Sequence, residues 1–314
     1  MAARPRVLVL LGPTAVGKTA VALALAERLP AEIISADSRQ IYAGLTIGSA
    51  APTAAERALV PHHLVEFLDP RTTYSVAEFV AAAEATIADI TSRDRLPLLV
   101  AGTGLYLRAL VTGWTLTGVP RDPVVRARLE AEAVSAGSDA LHVRLRGIDP
   151  ETAARLAPAD TKRIVRALEV WEVSGRPLSA HLAESGTRPV PFDYQLHALR
   201  RPREQLNARI AARLEAMLAA GWLDEVRSLL AAGLAGDEPA FESLGYRALA
   251  AVARGELDPD EARGRILIDT RRFAKRQMTW FRALPDVVWH DLDDDEPPAT
   301  TAARIAEAWA AATG

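Results

Sequence analysis

Residues 12–19, Gly-Pro-Thr-Ala-Val-Gly-Lys-Thr, have the types and spacing of a phosphate-binding loop, G-x-x-x-x-G-K-[S/T]. An apolar run at residues 6–11 precedes the loop, and a helical pattern follows it. In such a loop, glycines let backbone N–H groups surround phosphate oxygens, and the start of the helix adds partial positive charge. We therefore expect Lys18 to neutralise the terminal phosphate of a di- or triphosphate, and Thr19 to offer its hydroxyl to Mg²⁺. The predicted phosphate-binding residues are Gly12, Pro13, Thr14, Ala15, Val16, Gly17, Lys18 and Thr19.

The carboxylate that organises Mg²⁺ in a P-loop ATPase is missing from its expected place. The strand predicted at residues 97–101 runs into Gly-Thr-Gly without an acid. The nearest acid is Asp37, which follows the strand predicted at residues 32–36 and lies at the same carboxyl edge as the phosphate loop, where parallel sheets bind ligands. Asp-Ser is also common in turns. A carboxylate beside a polyphosphate is unfavourable unless it binds metal or accepts a proton, so we interpret Asp37 as functional.

One arginine falls inside an apolar helical stripe. Arg213 lies on the same face as Leu206, Ile210, Leu214 and Met217. Most such arginines extend their charged end to solvent. An inward-facing guanidinium instead needs an anion, because a buried unpaired charge is costly, and a bound diphosphate would serve. The pattern alone leaves both interpretations open.

Two segments carry basic residues on one helix face. Lys162, Arg163 and Arg166 share a face of one predicted helix, and Arg271, Lys275 and Arg282 lie on another. A solvated surface is the commoner explanation for such clusters. Two basic surfaces in a protein with a phosphate site nevertheless favour a polyanionic substrate.

The elements that must position these residues alternate between strand and helix, which predicts an α/β fold with a parallel sheet flanked by helices. From residue 120 the pattern changes to short helices opened by Asp and closed by Gly. We predict a P-loop core at residues 1–119 and 192–314 and an all-helical insertion at 120–191. The predicted strands are 6–11, 32–36, 63–67, 97–101, 194–200 and 286–290, and the predicted core helices are 18–29, 51–59, 76–92, 203–220, 223–232 and 259–284.

Composition narrows the class of protein. The chain has 314 residues, of which 49% are hydrophobic, so a sizeable core is available. It has no cysteine, which excludes disulfides and thiolate zinc sites. No apolar run is long enough to span a bilayer. A net charge of −3 argues only weakly against nucleic acid, because local basic patches can still bind phosphates. We expect a cytoplasmic protein with no membrane association.

These motifs together resemble the bacterial tRNA dimethylallyltransferases over essentially the whole chain. The resemblance is carried by GPTAVGKT (12–19), DSRQIY (37–42), GTGLYL (102–107), ESLGYRAL (242–249) and AKRQMTW (274–280). It implies that the loop holds the diphosphate of dimethylallyl diphosphate and not ATP, which accounts for the missing acid. The implied reaction moves the dimethylallyl group to N6 of the adenosine immediately 3′ of the anticodon, in tRNAs that read codons beginning with U, and releases diphosphate. The partners are then the tRNA anticodon stem-loop and dimethylallyl diphosphate, and we expect a monomer.

The resemblance also implies residue roles. Asp37 would accept a proton from the adenine amine, and Thr103 would help to position base and diphosphate. Lys18 and Arg213 would stabilise the leaving diphosphate, with Thr19 as a Mg²⁺ ligand. The implied tRNA-binding residues are Asp37, Ser38, Arg39, Gln40, Thr103, Arg126, Lys162, Arg163, Ile164, Val165 and Arg166.

Three other functions compete with this one. A P-loop kinase of a small metabolite would need an ATP-shaped site and no basic insertion. A non-catalytic P-loop module that binds RNA would leave Asp37 and Arg213 without a role. A prenyltransferase acting on free adenine nucleotides would not need the basic helical insertion.

Overall fold

A six-stranded parallel sheet forms the centre of the fold. The computed structural model describes residues 4–115 and 121–312. Within these ranges the strands are β1 (Arg6–Leu11), β2 (Ala31–Ala36), β3 (His62–His63), β4 (Leu96–Ala101), β5 (Asp193–Arg200) and β6 (Val287–Asp291). Their order is β3-β2-β4-β1-β5-β6, and each neighbouring pair is parallel. The predicted α/β class with a parallel sheet is confirmed.

Helices of the sheet-containing unit cover both faces of the sheet, and the other helices form a second unit described below. Across the described ranges the helices are α1 (Lys18–Ala26), α2 (Thr46–Ser49), α3 (Ala54–Leu59), α4 (Val76–Ser92), α5 (Gly104–Thr112), α6 (Pro123–Ala136), α7 (Ser138–Ile148), α8 (Pro150–Arg155), α9 (Thr161–Ser174), α10 (Leu178–Ala183), α11 (Arg203–Ala219), α12 (Trp222–Ala231), a 3-10 helix (Pro239–Glu242), α13 (Tyr246–Ala253), α14 (Pro259–Arg282) and α15 (Pro298–Ala311).

Strand β1 is buried on both faces, as expected for the interior of a parallel sheet covered by helices. Val7, Val9 and Leu11 belong to the apolar core on one face, and Leu8 and Leu10 belong to the core on the other. The uninterrupted apolar sequence of this strand follows from that double burial.

The register of three adjacent strands brings three loops together. Ala101 of β4 pairs with Leu11 of β1 on one side and with Ala36 of β2 on the other. The strands therefore end level with one another. The next residues along them, Gly12, Asp37 and Gly102, begin three neighbouring loops at the carboxyl edge.

Three predicted elements differ from the structure by three residues or more. The helix predicted at 18–29 ends at Ala26. The strand predicted at residues 63–67 ends at His63, because Leu64 and Glu66 adopt left-handed backbone conformations with φ of 58° and 50°. The helix predicted at 51–59 begins only at Ala54. Thr53 starts it with a capping box, in which its side chain accepts from the Glu56 amide and the Glu56 carboxylate accepts from the Thr53 amide.

By internal contacts the chain divides into two units, one of residues 1–111 and 190–314 and one of residues 112–189. The sequence analysis placed these boundaries at residues 120 and 191, and Pro120 lies outside the described residues. Helices α6 to α10 form the second unit around its own apolar core. That core includes Leu129, Leu141, Leu145, Ile164 and Leu168.

A pair of histidines joins the last two strands of the sheet. His197 of β5 is fully buried, and its Nδ1 lies 2.9 Å from Nε2 of His290 on β6. Within the described residues, Nε2 of His197 has no hydrogen-bond partner. Burial and, to a smaller extent, the neighbouring His290 lower the pKa of His197 from 6.5 to about 4. The folded protein therefore holds this histidine neutral.

We expect this pair to make the protein less stable in acid. A histidine whose pKa is lowered on folding contributes stability that is complete above pH 6.5 and is lost as the pH falls toward 4. The free energy of unfolding should gain a slope of up to about 1.4 kcal/mol per pH unit in that window. Urea unfolding between pH 7.5 and 4.5 measures this slope. His197→Phe should flatten it, and an equal slope in this variant would contradict the assignment.

Candidate active site

The phosphate-binding loop joins β1 to α1 through backbone conformations that only a few residues adopt easily. Ala15 and Gly17 have left-handed φ values of 63° and 116°. Gly12 lies so close to β5 that a Cβ atom there would come within 2.8 Å of the Leu199 carbonyl oxygen. The first amides of α1 have no intrahelical acceptor, as at any helix start. The loop therefore presents N–H donors at a helix N-terminus, which is a favourable place for an anion.

Side chains from three later segments hold the loop. Arg201 donates from Nε to the Val16 carbonyl (3.1 Å) and from Nη1 to the Asp293 carbonyl (2.7 Å). Arg209 donates from Nε to the Ala15 carbonyl (3.0 Å). The amide of Thr14 donates to Oε1 of Gln277 (2.8 Å). The backbone that would surround a phosphate is thus fixed by partners far away in sequence.

Lys18 is enclosed by its own loop. Its Nζ donates to the carbonyls of Gly12 (2.8 Å) and Pro13 (3.0 Å). Burial lowers the pKa of Lys18 from 10.5 to about 8, whereas the Asp37 carboxylate favours the charged form and the Arg213 guanidinium opposes it. These interactions place Lys18, Asp37 and Arg213 in one electrostatic group.

Asp37 begins the turn after β2 and is held tightly there. Its Oδ1 accepts from the Arg39 amide (2.9 Å). Its Oδ2 faces Gly102, where an added Cβ would lie only 2.4 Å from it. A residue larger than glycine at position 102 would therefore displace the carboxylate.

The predicted residues around Asp37 are largely engaged with the protein itself. Thr103 Oγ1 accepts from the Ser38 amide (2.9 Å) and donates to the Ser38 hydroxyl (3.2 Å), so Thr103 supports the turn that follows β2. Gln40 donates to the Ala50 carbonyl (2.8 Å). Arg39 lies 3.9 Å from the Glu242 carboxylate. Their roles in binding tRNA stay predictions.

Arg213 lies on α11 and is half-buried, as the apolar stripe suggested. It makes no hydrogen bond or ion pair with any other residue in the ranges 4–115 and 121–312. Burial lowers its pKa, and the nearby Asp37 opposes that shift. A partly desolvated guanidinium with unused donors is suited to binding an anion.

One cavity of about 870 Å³ in the sheet-containing unit is bordered by Lys18, Asp37 and Arg213. Its wall runs from the phosphate loop past Asp37 and Gly102 to helices α11 and α14. The charged lining residues include Lys18, Asp37, Arg39, Arg209, Arg213 and Arg276, and the apolar ones include Ile210, Leu214, Met217, Ile266 and Phe273. A cavity with a cationic loop and an apolar wall can hold a ligand that has an anionic head and a hydrocarbon tail.

Sequence reasoning missed three polar residues of this site. Arg209 stands four residues before Arg213, a spacing that places both on one face of α11, and this signal could have found it. Gln277 lies in the motif AKRQMTW, but nothing in a sequence distinguishes a buried glutamine from an exposed one. The contact from Arg201 to Val16 spans the chain and has no local signal.

The structure divides the predicted tRNA-binding residues of the helical unit into three groups, which are exposed, buried, or paired with a buried acid. Lys162 and Arg163 of α9 are exposed. The side chains of Ile164 and Val165 are 0% and 2% exposed and pack in the core of this unit, so the prediction that they contact tRNA is wrong for their side chains. The helix carries its apolar face inward, and these two residues belong to that face.

Two of the predicted arginines share one buried acid. Glu169 is 1% exposed, and its Oε2 accepts from Arg126 (2.5 Å) and from Arg166 (2.8 Å). Its Oε1 accepts from the Asp122 amide (3.0 Å). The three contacts lower the pKa of Glu169 against the effect of its burial. Arg126 and Arg166 therefore fix the start of α6 against α9, and part of their charge is already neutralised.

The fold and the site define a P-loop protein whose phosphate loop, after β1, shares the carboxyl edge of the sheet with a carboxylate that follows β2, with β4 between the two strands. The family model described as IPP transferase matches residues 40–284, and one described as Isopentenyl transferase matches residues 5–73. The chain belongs to the IPP transferase family and is a transferase. This assignment sets aside the kinase and the non-catalytic RNA-binding module. No helix within the described ranges is long and apolar enough to cross a membrane.

Individual relatives agree with the family model. The chain is 47% identical to the tRNA dimethylallyltransferase of Roseiflexus sp. strain RS-1, with 94% of this chain and 96% of the relative covered. It is 50% identical to that of Symbiobacterium thermophilum, with 92% and 90% covered. A solved tRNA isopentenylpyrophosphate transferase from Bacillus halodurans superposes with a TM-score of 0.69 at 36% identity, covering 97% of this chain and 96% of that one. A eukaryotic dimethylallyltransferase acting on tRNA superposes with a TM-score of 0.77 at 25% identity, covering 98% and 80%.

We expect binding of inorganic diphosphate to be coupled to proton uptake by Lys18. Above pH 8 part of Lys18 is neutral in the free protein, and a bound anion would favour its charged form. Titration calorimetry at pH 8.5 in two buffers of different ionisation enthalpy gives the number of protons taken up. Lys18→Arg, which stays charged, is the matched control and reports the protons that belong to the diphosphate alone. Equal uptake by both proteins would contradict this prediction.

Proposed function

We propose that this protein transfers a dimethylallyl group from dimethylallyl diphosphate to N6 of the adenosine immediately 3′ of the anticodon, in tRNAs that read codons beginning with U. The observation that carries the proposal is the electrostatic group of Lys18, Arg213 and Asp37 at one cavity, beside a phosphate-binding loop. The names of the relatives support a prenyl transfer to tRNA. The cationic loop suits the leaving group, and the carboxylate suits the acceptor.

The difficult step is the departure of the diphosphate. The bond between the allylic carbon and the diphosphate oxygen breaks, and its electron pair leaves with the diphosphate. Lys18, Arg213 and the first amides of α1 are placed to stabilise the charge that develops there. Preorganised donors of this kind supply a large part of the rate acceleration in many enzymes. Arg209, held by the Ala15 carbonyl, would add a further cation at the same wall.

The acceptor nitrogen must lose a proton as it forms its bond to carbon. Asp37 would take that proton, since its carboxylate is fixed by the Arg39 amide and lies at the cavity wall. A general base of this kind contributes roughly 10²–10⁴-fold. The adenine would have to leave its stack to reach the cavity, as in other enzymes that act on nucleobases.

Mg²⁺ fits the oxygen donors of this site as a partner of the diphosphate. Thr19, at the start of α1, is an exposed residue that lines the cavity. Mg²⁺ prefers a site with one or two protein oxygens and the rest from phosphates and water. When bound, Mg²⁺ would neutralise charge on the leaving group. Thr19 would hold it at the loop.

The acceptor is proposed to be the anticodon stem-loop, bound in part by Lys162 and Arg163. Both side chains are exposed on α9, and Lys/Arg contacts to phosphates dominate affinity for nucleic acids. We propose that the protein acts as a monomer, since Lys18, Asp37 and Arg213 of one chain already border the same cavity. A tRNA acceptor supports a cytoplasmic location.

The test of this function is nucleoside mass analysis. The protein is incubated with dimethylallyl diphosphate, Mg²⁺ and an unmodified tRNA transcript that has adenosine 3′ of its anticodon, without ATP. We expect dimethylallyladenosine at that position and one diphosphate released per transfer. The same transcript with guanosine at that position is the matched control. Absence of the product from the adenosine transcript would overturn the proposal.

Asp37→Asn should separate binding from chemistry. The amide oxygen can still accept from the Arg39 amide, but it cannot take a proton. We expect tRNA affinity to change less than about threefold, whereas turnover falls about 10²–10⁴-fold. Single-turnover kinetics and filter binding measure the two effects. Turnover like that of the parent protein would remove Asp37 as the base.

Lys162→Glu with Arg163→Glu should weaken tRNA binding and make its dependence on salt shallower. Two lost phosphate contacts reduce the slope of log K against log salt by about two. Arg166 is left unchanged, because replacing it would leave the buried Glu169 with one partner fewer. Arg146→Glu, which reverses the charge of one exposed arginine on α7, is the control and should leave the slope unchanged. Equal slopes for all three proteins would discard this helix face.

A further inference from the structure

One buried side chain connects the two halves of the site. Gln277 of α14 is 3% exposed, and both ends of its amide are used. Its Oε1 accepts from the Thr14 amide of the phosphate loop (2.8 Å), and its Nε2 donates to the Gly102 carbonyl (2.6 Å). A single amide group therefore spans the loop after β1 and the loop after β4.

Each of these two contacts reaches a different part of the proposed chemistry. Thr14 belongs to the loop that would hold the leaving diphosphate. Gly102 lies against the Asp37 carboxylate, so closely that a Cβ atom would come within 2.4 Å of Oδ2. A shift of Gly102 would therefore move the base relative to the leaving group.

Helix α14 makes this connection stiff. It has 24 residues, and Ala274 and Phe281, on either side of Gln277, are 3% and 0% exposed. The glutamine is thus held by a packed helix and not by a flexible loop. Leaving the Thr14 N–H and the Gly102 carbonyl without this partner would cost the desolvation of two buried polar groups.

We propose that Gln277 is a positioning residue that fixes the separation between the diphosphate loop and the edge formed by Asp37 and Gly102, so that the allylic carbon is delivered to the adenine nitrogen and not to water. This inference rests on the proposed function. The competing reaction breaks the same bond between carbon and diphosphate oxygen. The carbon then bonds to a water oxygen, the water proton goes to the diphosphate or to solvent, and dimethylallyl alcohol is released.

The partition between the two products tests this role. Radiolabelled dimethylallyl diphosphate and tRNA are supplied to the parent protein, Gln277→Leu and Gln277→Glu, and labelled tRNA is compared with labelled alcohol. A misplacement of about 1 Å can cost about 10²-fold in rate, so we expect the ratio of transfer to hydrolysis to fall at least about tenfold. The KM values for both substrates should change less than about threefold.

Gln277→Glu covers the case in which Gln277→Leu does not fold. It keeps an acceptor for the Thr14 amide but sets an oxygen against the Gly102 carbonyl, so it should also shift the partition. Gln195→Leu is the matched control. Gln195 donates to the Ala308 carbonyl (3.4 Å) and accepts from Arg6 (3.3 Å), so the change removes another glutamine bridge, and it should leave the partition unchanged. A rate that falls in the Gln277 variants with an unchanged partition would overturn the proposal.

Hydrogen exchange distinguishes failure of this inference from failure of the proposed function. If the parent protein makes neither labelled tRNA nor alcohol, the proposed function is wrong. Exchange at residues 13–17 and at 101–104 then still reports the connection, because it does not depend on the reaction. Both segments should exchange faster in Gln277→Leu and Gln277→Glu than in the parent protein and in Gln195→Leu. Unchanged exchange in the Gln277 variants would overturn the positioning role.

Discussion

The cost of partly desolvating two neighbouring cations is the constraint on which the rest of the site depends. Lys18 is enclosed by its own loop, and its pKa is lowered by that burial. Arg213 is half-buried, and its pKa is lowered for the same reason. The Asp37 carboxylate balances only one of the two positive charges of Lys18 and Arg213. A bound diphosphate would balance the remainder, so the free protein is poised for an anion at this point.

Backbone geometry makes that arrangement possible. Because β2, β4 and β1 end level with one another, the residues after them meet at one edge without any long loop. Glycine at positions 12 and 102 lets the chains approach closely, since a Cβ atom would clash with Leu199 in one case and with Asp37 in the other. The residues that hold the loop are Arg201, directly after β5, Arg209 on α11 and Gln277 on α14, and they lie 185, 194 and 263 residues away in sequence from their partners in the loop. The site is therefore a property of the assembled sheet, and no single motif contains it.

An element or site residue could be predicted from the sequence where residues nearby in the chain determine its structure. The phosphate loop was predictable from its motif, and β1 from its uninterrupted apolar run. Helix α4 was predictable because its apolar period and the capping motif at its start lie within the helix and its first turn. The end of β3 was not, since nothing in the types of Leu64 and Glu66 indicates a left-handed backbone. The basic face of α9 was predicted from its charges, but the burial of Glu169 decides that Arg166 serves packing as well. Gln277 acquires its role only through two partners that are 263 and 175 residues away.

Arg201 connects the phosphate loop to the segment that follows β6. Its side chain, only 6% exposed, reaches Val16 in the phosphate loop and also the carbonyl of Asp293, with the Asp294 carboxylate 3.5 Å away. The Arg201 side chain thus links the acidic segment after β6 to the phosphate loop that begins at residue 12. A shortened version of this protein that stopped at β6 would keep every residue of the cavity wall and yet lose the outer support of its phosphate loop. A truncated or fused version of the chain should therefore keep the segment after β6, because it supports the phosphate loop through Arg201.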